Sequence, residues 1–362
     1  MSTFAAAAER TVYFGTYTGG KSQGIYTAKF DDATGGLGEP KLLAKVENPS
    51  YIVFHPNGKV LYSVAEVDNH AGVKGHGGIA VLTKNTAGEW NVVATKTTAG
   101  AHPCHVSIDK DAKLLLVSNY TGGSLTAYKL DDAGMIVGEG AVSKHTGSSV
   151  NPNRQKEPHV HSARITLDGG WALVSDLGVD KIFAYKLDPK AQTVEKTEGG
   201  VVAPGSGPRH TAMHPDGKTV FVINEMPCTL TAFDFVAKTG KLTEKQTLST
   251  LPADEKFQGK FSTAEVVVHP NGKFVYGSNR GHDTIAVFAI DDAGKLTLIQ
   301  NQSTLGKTPR NFALDPSGKW LLCANQDSDD VHVFAVDQST GKLSPAGKSI
   351  VVGKPVCVVF AE

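Results

Sequence analysis

The sequence predicts an all-β chain folded as a seven-bladed propeller, on three observations: a short turn that recurs six times, strand-like runs on either side of each turn, and a seventh repeat divided between the two ends of the chain. The turns are His55-Pro56-Asn57-Gly58-Lys59, Asp109-Lys110-Asp111-Ala112-Lys113, Leu167-Asp168-Gly169-Gly170, His214-Pro215-Asp216-Gly217-Lys218, His269-Pro270-Asn271-Gly272-Lys273 and Asp315-Pro316-Ser317-Gly318-Lys319. Anchored on Gly58, Ala112, Gly169, Gly217, Gly272 and Gly318, they follow one another at steps of 46 to 57 residues. A period near fifty marks units that cannot bury their own apolar faces and stack on their neighbours about an axis.

Each turn joins two apolar runs. Tyr51-Ile52-Val53-Phe54 precedes the first turn and Val60-Leu61-Tyr62-Ser63-Val64 follows it; Leu114 to Val117, Thr219 to Ile223, Phe274 to Gly277 and Trp320 to Cys323 repeat the second run. β-Branched and aromatic runs around Asn-Gly or Asp-Gly read as hairpins, because those turn residues accept the positive φ a tight hairpin needs. Their near-continuous apolarity predicts strands covered on both faces. A third run follows in most repeats, as in Ser124 to Tyr128, Lys181 to Tyr185 and Thr284 to Phe288, which leads to four-stranded antiparallel blades. The last repeat is split. Thr11 to Tyr17 has the character of a second strand and Lys354 to Phe360 that of a first strand, so the two ends are expected to pair and close the ring.

The repeat runs through the chain, so residues 11–362 are expected to form a single propeller and residues 1–10 a disordered or processed leader. Lysine plus arginine equals aspartate plus glutamate, 36 against 36, so no global field favours nucleic acid or an acidic membrane, and any anion preference is local. No run is long and apolar enough for a membrane helix. A cytoplasmic location is expected, or a periplasmic one if Ala5-Ala6-Ala7-Ala8 is the remnant of a signal-peptidase site. Cys104, Cys228, Cys323 and Cys357 lie far apart with no C-x-x-C and read as small core residues. A monomer or weak homo-oligomer is expected.

Aligning the repeats on their turns shows where they differ. Eight residues before each anchor stand Ser50, Cys104, His161, Arg209, Ala264 and Arg310; eight after stand Glu66, Tyr120, Leu177, Glu225, Arg280 and Gln326. Hairpin strands run antiparallel, so both sets fall at one end of the blades, at one mouth of the ring near the axis. His161, Arg209, Glu225 and Arg280 come from consecutive blades and are the candidate catalytic group; Arg310, one blade beyond, is placed outside it. One residue earlier, Asn119, Asp176, Asn224, Asn279 and Asn325 repeat, which points to a structural role at the strand ends.

A buried arginine needs a partner. The plain reading is that Arg209 or Arg280 pairs with Glu225. Two arginines and a histidine against one glutamate still leave positive charge facing a cavity, which suits an anion held in bidentate geometry. The segment Lys144 to His161, with His145, Arg154, Lys156 and His159 against the single acid Glu157, reads as a basic loop at the mouth. It is either solvated or a contact for the variable part of a substrate, and His159, Arg154, Lys156 and His105 are the candidate substrate-binding residues. The pairs His159/His161 and His102/His105 lack a carboxylate to complete a zinc triad. An axial calcium site from Glu66, Asp176, Asn224 or Asn279 is the stronger metal alternative.

Tyr13-Phe14-Gly15-Thr16-Tyr17-Thr18, Asn48-Pro49-Ser50, Pro158-His159-Val160-His161-Ser162, Gly207-Pro208-Arg209-His210, Asn224-Glu225, Ser278-Asn279-Arg280-Gly281 and Pro309-Arg310-Asn311-Phe312 together resemble the seven-bladed propeller lactonases. That family includes propeller-type 6-phosphogluconolactonases and carboxy-cis,cis-muconate lactonizing enzymes. The resemblance implies a group of one His, two Arg and one Glu that works without metal or cofactor, falling on His161, Arg209, Arg280 and Glu225. It implies hydrolysis of a small anionic sugar-acid lactone, by default 6-phosphogluconolactone, with aldaric and uronic 1,5-lactones next. The arginines would hold the substrate and the developing oxyanion. His161 would serve as general base and then acid, its unperturbed pKa suiting both tasks, with Glu225 as partner or as the base itself. Carboxymuconate cycloisomerisation at the same site, a calcium-dependent lactonase and a non-enzymatic scaffold stand as alternatives.

Overall fold

The computed structural model describes residues 9–255, 257 and 259–361. Its strands form seven antiparallel sheets that follow one another along the chain. Six have four strands; the first has five, because its outer position is shared by Gly36–Leu37 and Lys41–Ala44. The innermost strands are Pro355–Phe360, Ile52–Phe54, Pro103–Ile108, Val160–Ile165, Pro208–Met213, Ser262–Val268 and Pro309–Leu314, and they define blades 1 to 7 in that order. Each touches the next, and the strand of blade 7 touches that of blade 1, so the ring is closed. A small added hairpin, Asn69–His70 with Val73–Lys74, follows the second strand of blade 2.

The expected turns form for the expected reason. Gly58, Gly217 and Gly272 hold φ of 66°, 68° and 73°. Asn57, Asp216 and Asn271 accept the amide of the lysine two residues on at 2.9, 2.7 and 2.9 Å. A side-chain acceptor and a glycine together fix each reversal.

Coverage on both faces follows as well. The second strands Val60–Ala65, Leu114–Asn119, Trp171–Asp176 and Thr219–Asn224 are buried at every residue, whereas the outermost strand Ile136–Lys144 is mostly exposed. The core is therefore divided into slabs between blades. Trp171 and Leu173 of blade 4 meet Val220, Val222 and Phe233 of blade 5, and Val12 and Phe14 of blade 1 meet Leu322 and Val333 of blade 7. Aromatic donors bridge the same gaps. Trp171 Nε1 donates to Ala237 O at 2.7 Å, Tyr276 Oη to Gly341 O at 2.9 Å and Trp320 Nε1 to Asp32 O at 2.9 Å.

Closure is by the two ends. Val12 pairs with Phe360, Gly15 with Cys357 and Thr16 with Pro355. The first strand, Glu9–Thr16, begins inside the segment read as leader. Glu9 and Arg10 pair with Asp31 and Phe30, and their side chains reach Lys29 at 2.9 Å and Asp32 at 3.5 Å. The remainder of that segment, residues 1–8, lies outside the described residues.

Candidate active site

The side chains that reach the axis do so through a repeated irregularity. The pairing of the first two strands slips by one residue between Pro103 and His105, Val160 and Ser162, Pro208 and His210, and Pro309 and Asn311. The extra residues are Cys104, His161, Arg209 and Arg310. The strand of blade 6 slips between Thr263 and Val266, and that of blade 1 slips at Val356. A bulge breaks the alternation of faces, so adjacent residues can both point inward. Arg209 and His210 do: Arg209 Nη1 lies 3.2 Å from His210 Nε2.

Four of the expected residues converge. Glu225, buried, is their centre. Its Oε2 accepts Arg209 Nε at 3.1 Å and lies 3.1 Å from Arg280 Nη2 and 4.0 Å from His161 Nε2. Its Oε1 accepts Arg154 Nη2 at 2.7 Å, so a third guanidinium, expected only as a substrate contact, belongs to the same cluster. Arg209 is largely consumed by its surroundings, since Nη1 also donates to Ala264 O at 2.8 Å. Arg280 donates Nη2 to Thr263 O at 2.7 Å, while its buried Nε has no partner. Glu225, Arg280, Arg154 and His161 share a cavity of about 320 Å³ with Glu66, Cys104, Tyr120, Ser262 and Arg310.

Arg310 therefore lies inside the group, contrary to the sequence expectation. In a closed ring every first strand runs beside the axis, so one blade beyond Arg280 is no farther from the centre. Arg310 Nη2 donates to Tyr17 Oη at 3.0 Å, and Tyr17 donates onward to Glu66 Oε2 at 2.9 Å. Ser50 Oγ donates to the same glutamate.

The basic loop is folded rather than free. Asn151 Oδ1 accepts the amides of Asn153 and Arg154 at 3.0 and 3.1 Å, a turn that directs Arg154 to the cavity and leaves Lys156 exposed. Lys156 is thus not brought to the site. Asp180, which no sequence pattern singled out, anchors the loop: its carboxylate accepts Gln155 Nε2 at 2.8 Å and the amides of Gly205 and Gly207 at 2.7 and 2.6 Å. It ties the loop to the turn before Arg209, where Gly207 holds φ of 62° and its carbonyl accepts the Glu225 amide at 2.8 Å. His159 stacks on Tyr120 with centroids 4.5 Å apart, at the rim. His145 is buried, 2.6 Å from Asp176 and 2.8 Å from Tyr185, and is part of the frame.

His105 is also misplaced by the sequence reading. One residue past the bulge, it lies deeper, 4.2 Å from the Tyr51 ring and 5.6 Å from the His210 ring, and does not line the cavity. This deeper layer centres on a second buried glutamate. Glu265 Oε1 lies 2.9 Å from His210 Nδ1 and 3.9 Å from Arg164, and Oε2 accepts Asn311 Nδ2.

The electrostatics follow from burial and from the surplus of cations. Burial raises the proton affinity of Glu225, but Arg280, Arg209, His161 and Arg154 outweigh it and hold the carboxyl well below the usual range. Burial, then Arg209 and His210, push His161 well below the ordinary histidine value, so near neutrality it is uncharged. Arg280 is pushed down to about 10, by burial first and by Arg209 and Arg310, against the pull of Glu225.

Most oxygen groups weighed for calcium are engaged within the protein, although Asn224 Oδ1 has no partner. Asp176 serves His145 and the amides of His159 and Gly178; Asn224 and Asn279 donate to threonine hydroxyls; Glu66 holds Tyr17 and Ser50. This also bears out the structural reading of the Asn/Asp series. The four cysteines are unpaired and buried.

The family described as "Lactonase, 7-bladed beta-propeller" matches residues 11–360. The chain belongs to that family of lactone-hydrolysing enzymes. Among the lactonases it is 35% identical over 351 residues to the 6-phosphogluconolactonase of Bacillus subtilis, covering 96% of this chain and 97% of that one. It is 36% identical over 352 residues to the 6-phosphogluconolactonase of Formosa agariphila, covering 94% and 96%. A solved structure of the Pseudomonas aeruginosa periplasmic gluconolactonase superposes with a TM-score of 0.88 at 32% identity, over 98% of this chain and 99% of that one. No helix among the described residues is long and apolar enough to cross a membrane.

Proposed function

We propose that this lactonase hydrolyses an anionic sugar-acid lactone without a metal, with 6-phosphogluconolactone the first candidate and aldaric or uronic 1,5-lactones next. One observation carries the reading: an uncharged imidazole, His161, on the wall of an axial cavity about which four guanidiniums, Arg154, Arg209, Arg280 and Arg310, face two carboxylates, Glu66 and Glu225.

Attack of water on the lactone carbonyl needs a base, a counter-charge for the oxyanion and a proton for the departing ring oxygen. His161 is the base, since a neutral imidazole can take the water proton. Glu225 is the poorer choice, because its lone pairs already serve three arginines. It instead stabilises the imidazolium formed 4.0 Å away. The oxyanion is met by Arg280, which lines the cavity together with His161. When the tetrahedral intermediate collapses, the ring C–O bond breaks and the alkoxide takes the proton from His161, giving the open hydroxy acid. Arg209, engaged with Glu225, Ala264 and His210, holds the carboxylate in place. The engagement of Glu66 and Asp176 within the protein supports the metal-free form.

The test is hydrolysis of a lactone panel, at slightly acid pH where spontaneous opening is slow, before and after exhaustive chelation. The expected result is activity on anionic 1,5-lactones that survives chelation. Loss on chelation with recovery on calcium would replace the metal-free reading, and no activity on any lactone would replace the substrate class.

A further inference from the structure

We propose that Arg310, braced by Tyr17 and Glu66, forms the subsite for the substrate's anionic group, a phosphate or carboxylate remote from the lactone carbonyl. The inference rests on the lactonase reading above and goes beyond it by dividing the cavity into a reacting half and an anchoring half.

Arg154, Arg209 and Arg280 each pair with Glu225. Arg310 differs. Among the described residues its one hydrogen bond is from Nη2 to Tyr17 Oη at 3.0 Å, and it makes no ion pair. Its guanidinium lies 5.3 Å from the Tyr17 ring centroid. Glu66 acts on it through space without an ion pair, since its carboxylate accepts from the Tyr17 hydroxyl at 3.0 and 2.9 Å and from Ser50. The carboxylate thus fixes the tyrosine, and the tyrosine fixes one end of the guanidinium. The remaining N–H groups of Arg310 are left in a cavity it lines together with His161 and Arg280.

A half-buried guanidinium with a braced edge and an open edge suits bidentate recognition of phosphate or carboxylate. The guanidinium stays charged: burial works against it, but Tyr17, Glu66 and Glu225 outweigh burial and push Arg310 up. The lowering of Arg280 and Arg209, by burial first and then by neighbouring guanidiniums that include Arg310, shows that Arg310 also bears on the reacting half of the cavity.

The experiment compares kcat/KM for 6-phosphoglucono-1,5-lactone, glucaro-1,5-lactone and neutral glucono-1,5-lactone in the wild type, Arg310→Gln, Arg310→Lys and Tyr17→Phe. The expected result is a collapse of the anionic-to-neutral preference by about 10- to 100-fold in Arg310→Gln, the span of a lost charge-assisted hydrogen-bond pair. The collapse should appear in KM rather than kcat, with smaller losses in Arg310→Lys and Tyr17→Phe. The relative loss on phosphate and carboxylate substrates tells which group the subsite takes. An unaltered preference in Arg310→Gln, or an equal fall in kcat on neutral and anionic lactones, overturns the proposal. Thermal melting with inorganic phosphate gives a readout independent of turnover: phosphate should raise the midpoint of the wild type and not of Arg310→Gln. Equal shifts in both also overturn it. If the wild type hydrolyses no lactone but phosphate protection still depends on Arg310, the functional reading fails and the subsite stands.

Discussion

Two buried glutamates lie at successive depths near the axis, and their surroundings shift their proton affinities in opposite directions. Glu225, at the mouth, meets three arginines and a histidine, and its carboxyl is held well below the usual range. Glu265, one layer deeper, has one arginine at 3.9 Å, with His210 and Asn311 in direct contact; burial raises its proton affinity and Arg164 and Arg209 only partly offset it. The deeper cluster sets one carboxylate against one arginine at 3.9 Å and hydrogen-bonds it to His210 and Asn311. The outer one concentrates like charges that repel, an arrangement that packing alone does not require. The contrast separates framework from function: where cations exceed anions around a cavity, the missing anion is a ligand.

The largest effect expected on this contrast comes from Glu225→Gln. Removing one member of a buried charge cluster costs about 3–5 kcal/mol, so thermal unfolding should shift down strongly and turnover should vanish with it. His161→Asn comes next: it should keep the fold and lose about a hundred- to ten-thousand-fold in kcat, the usual worth of acid–base catalysis. The wild-type pH profile sharpens this assignment. A base whose folded pKa is depressed stays unprotonated as pH falls, so the acid limb of kcat/KM should lie below the ordinary histidine value of about 6.5. A limb at or above that value removes His161 as the neutral base. The smallest effect is expected from Glu265→Gln, about 1–3 kcal/mol for a disturbed buried hydrogen bond, with kcat falling far less than in Glu225→Gln. Comparable damage from both substitutions would erase the distinction between the two layers.

Much of this was legible in the sequence because the propeller repeats its own register. Counting eight residues from each turn was enough to bring His161, Arg209, Glu225 and Arg280 together, and the split of the last blade predicted the pairing of Val12 with Phe360. What was not legible is what repetition hides. The count assigns Arg310 to a blade but does not say that a ring has no distant blade. It does not show the bulges, so nothing in it says that His105, one residue past the extra residue Cys104, points to a deeper layer. Charge counting grouped Arg154 with Lys156, whereas the Asn151 turn sends one inward and the other to solvent. Asp180 gave no signal at all, since its partners are two glycine amides of one turn, a glutamine and a serine hydroxyl.

The bond between Arg310 and Tyr17 crosses 293 positions of sequence. It lies at the seam where the last blade meets the first, and that first blade takes its innermost strand from residues 355–360. During synthesis Tyr17 leaves the ribosome early and must wait for nearly the whole polypeptide before its partner strand and Arg310 arrive. The earlier blades can stack in order as they emerge, but the anchoring half of the cavity can form only when the circle shuts. Such late, long-range contacts carry the highest loop-closure cost. An incomplete nascent chain therefore presents arginines without a finished cavity, and competence for an anionic ligand arises with the final turn of the ring rather than blade by blade.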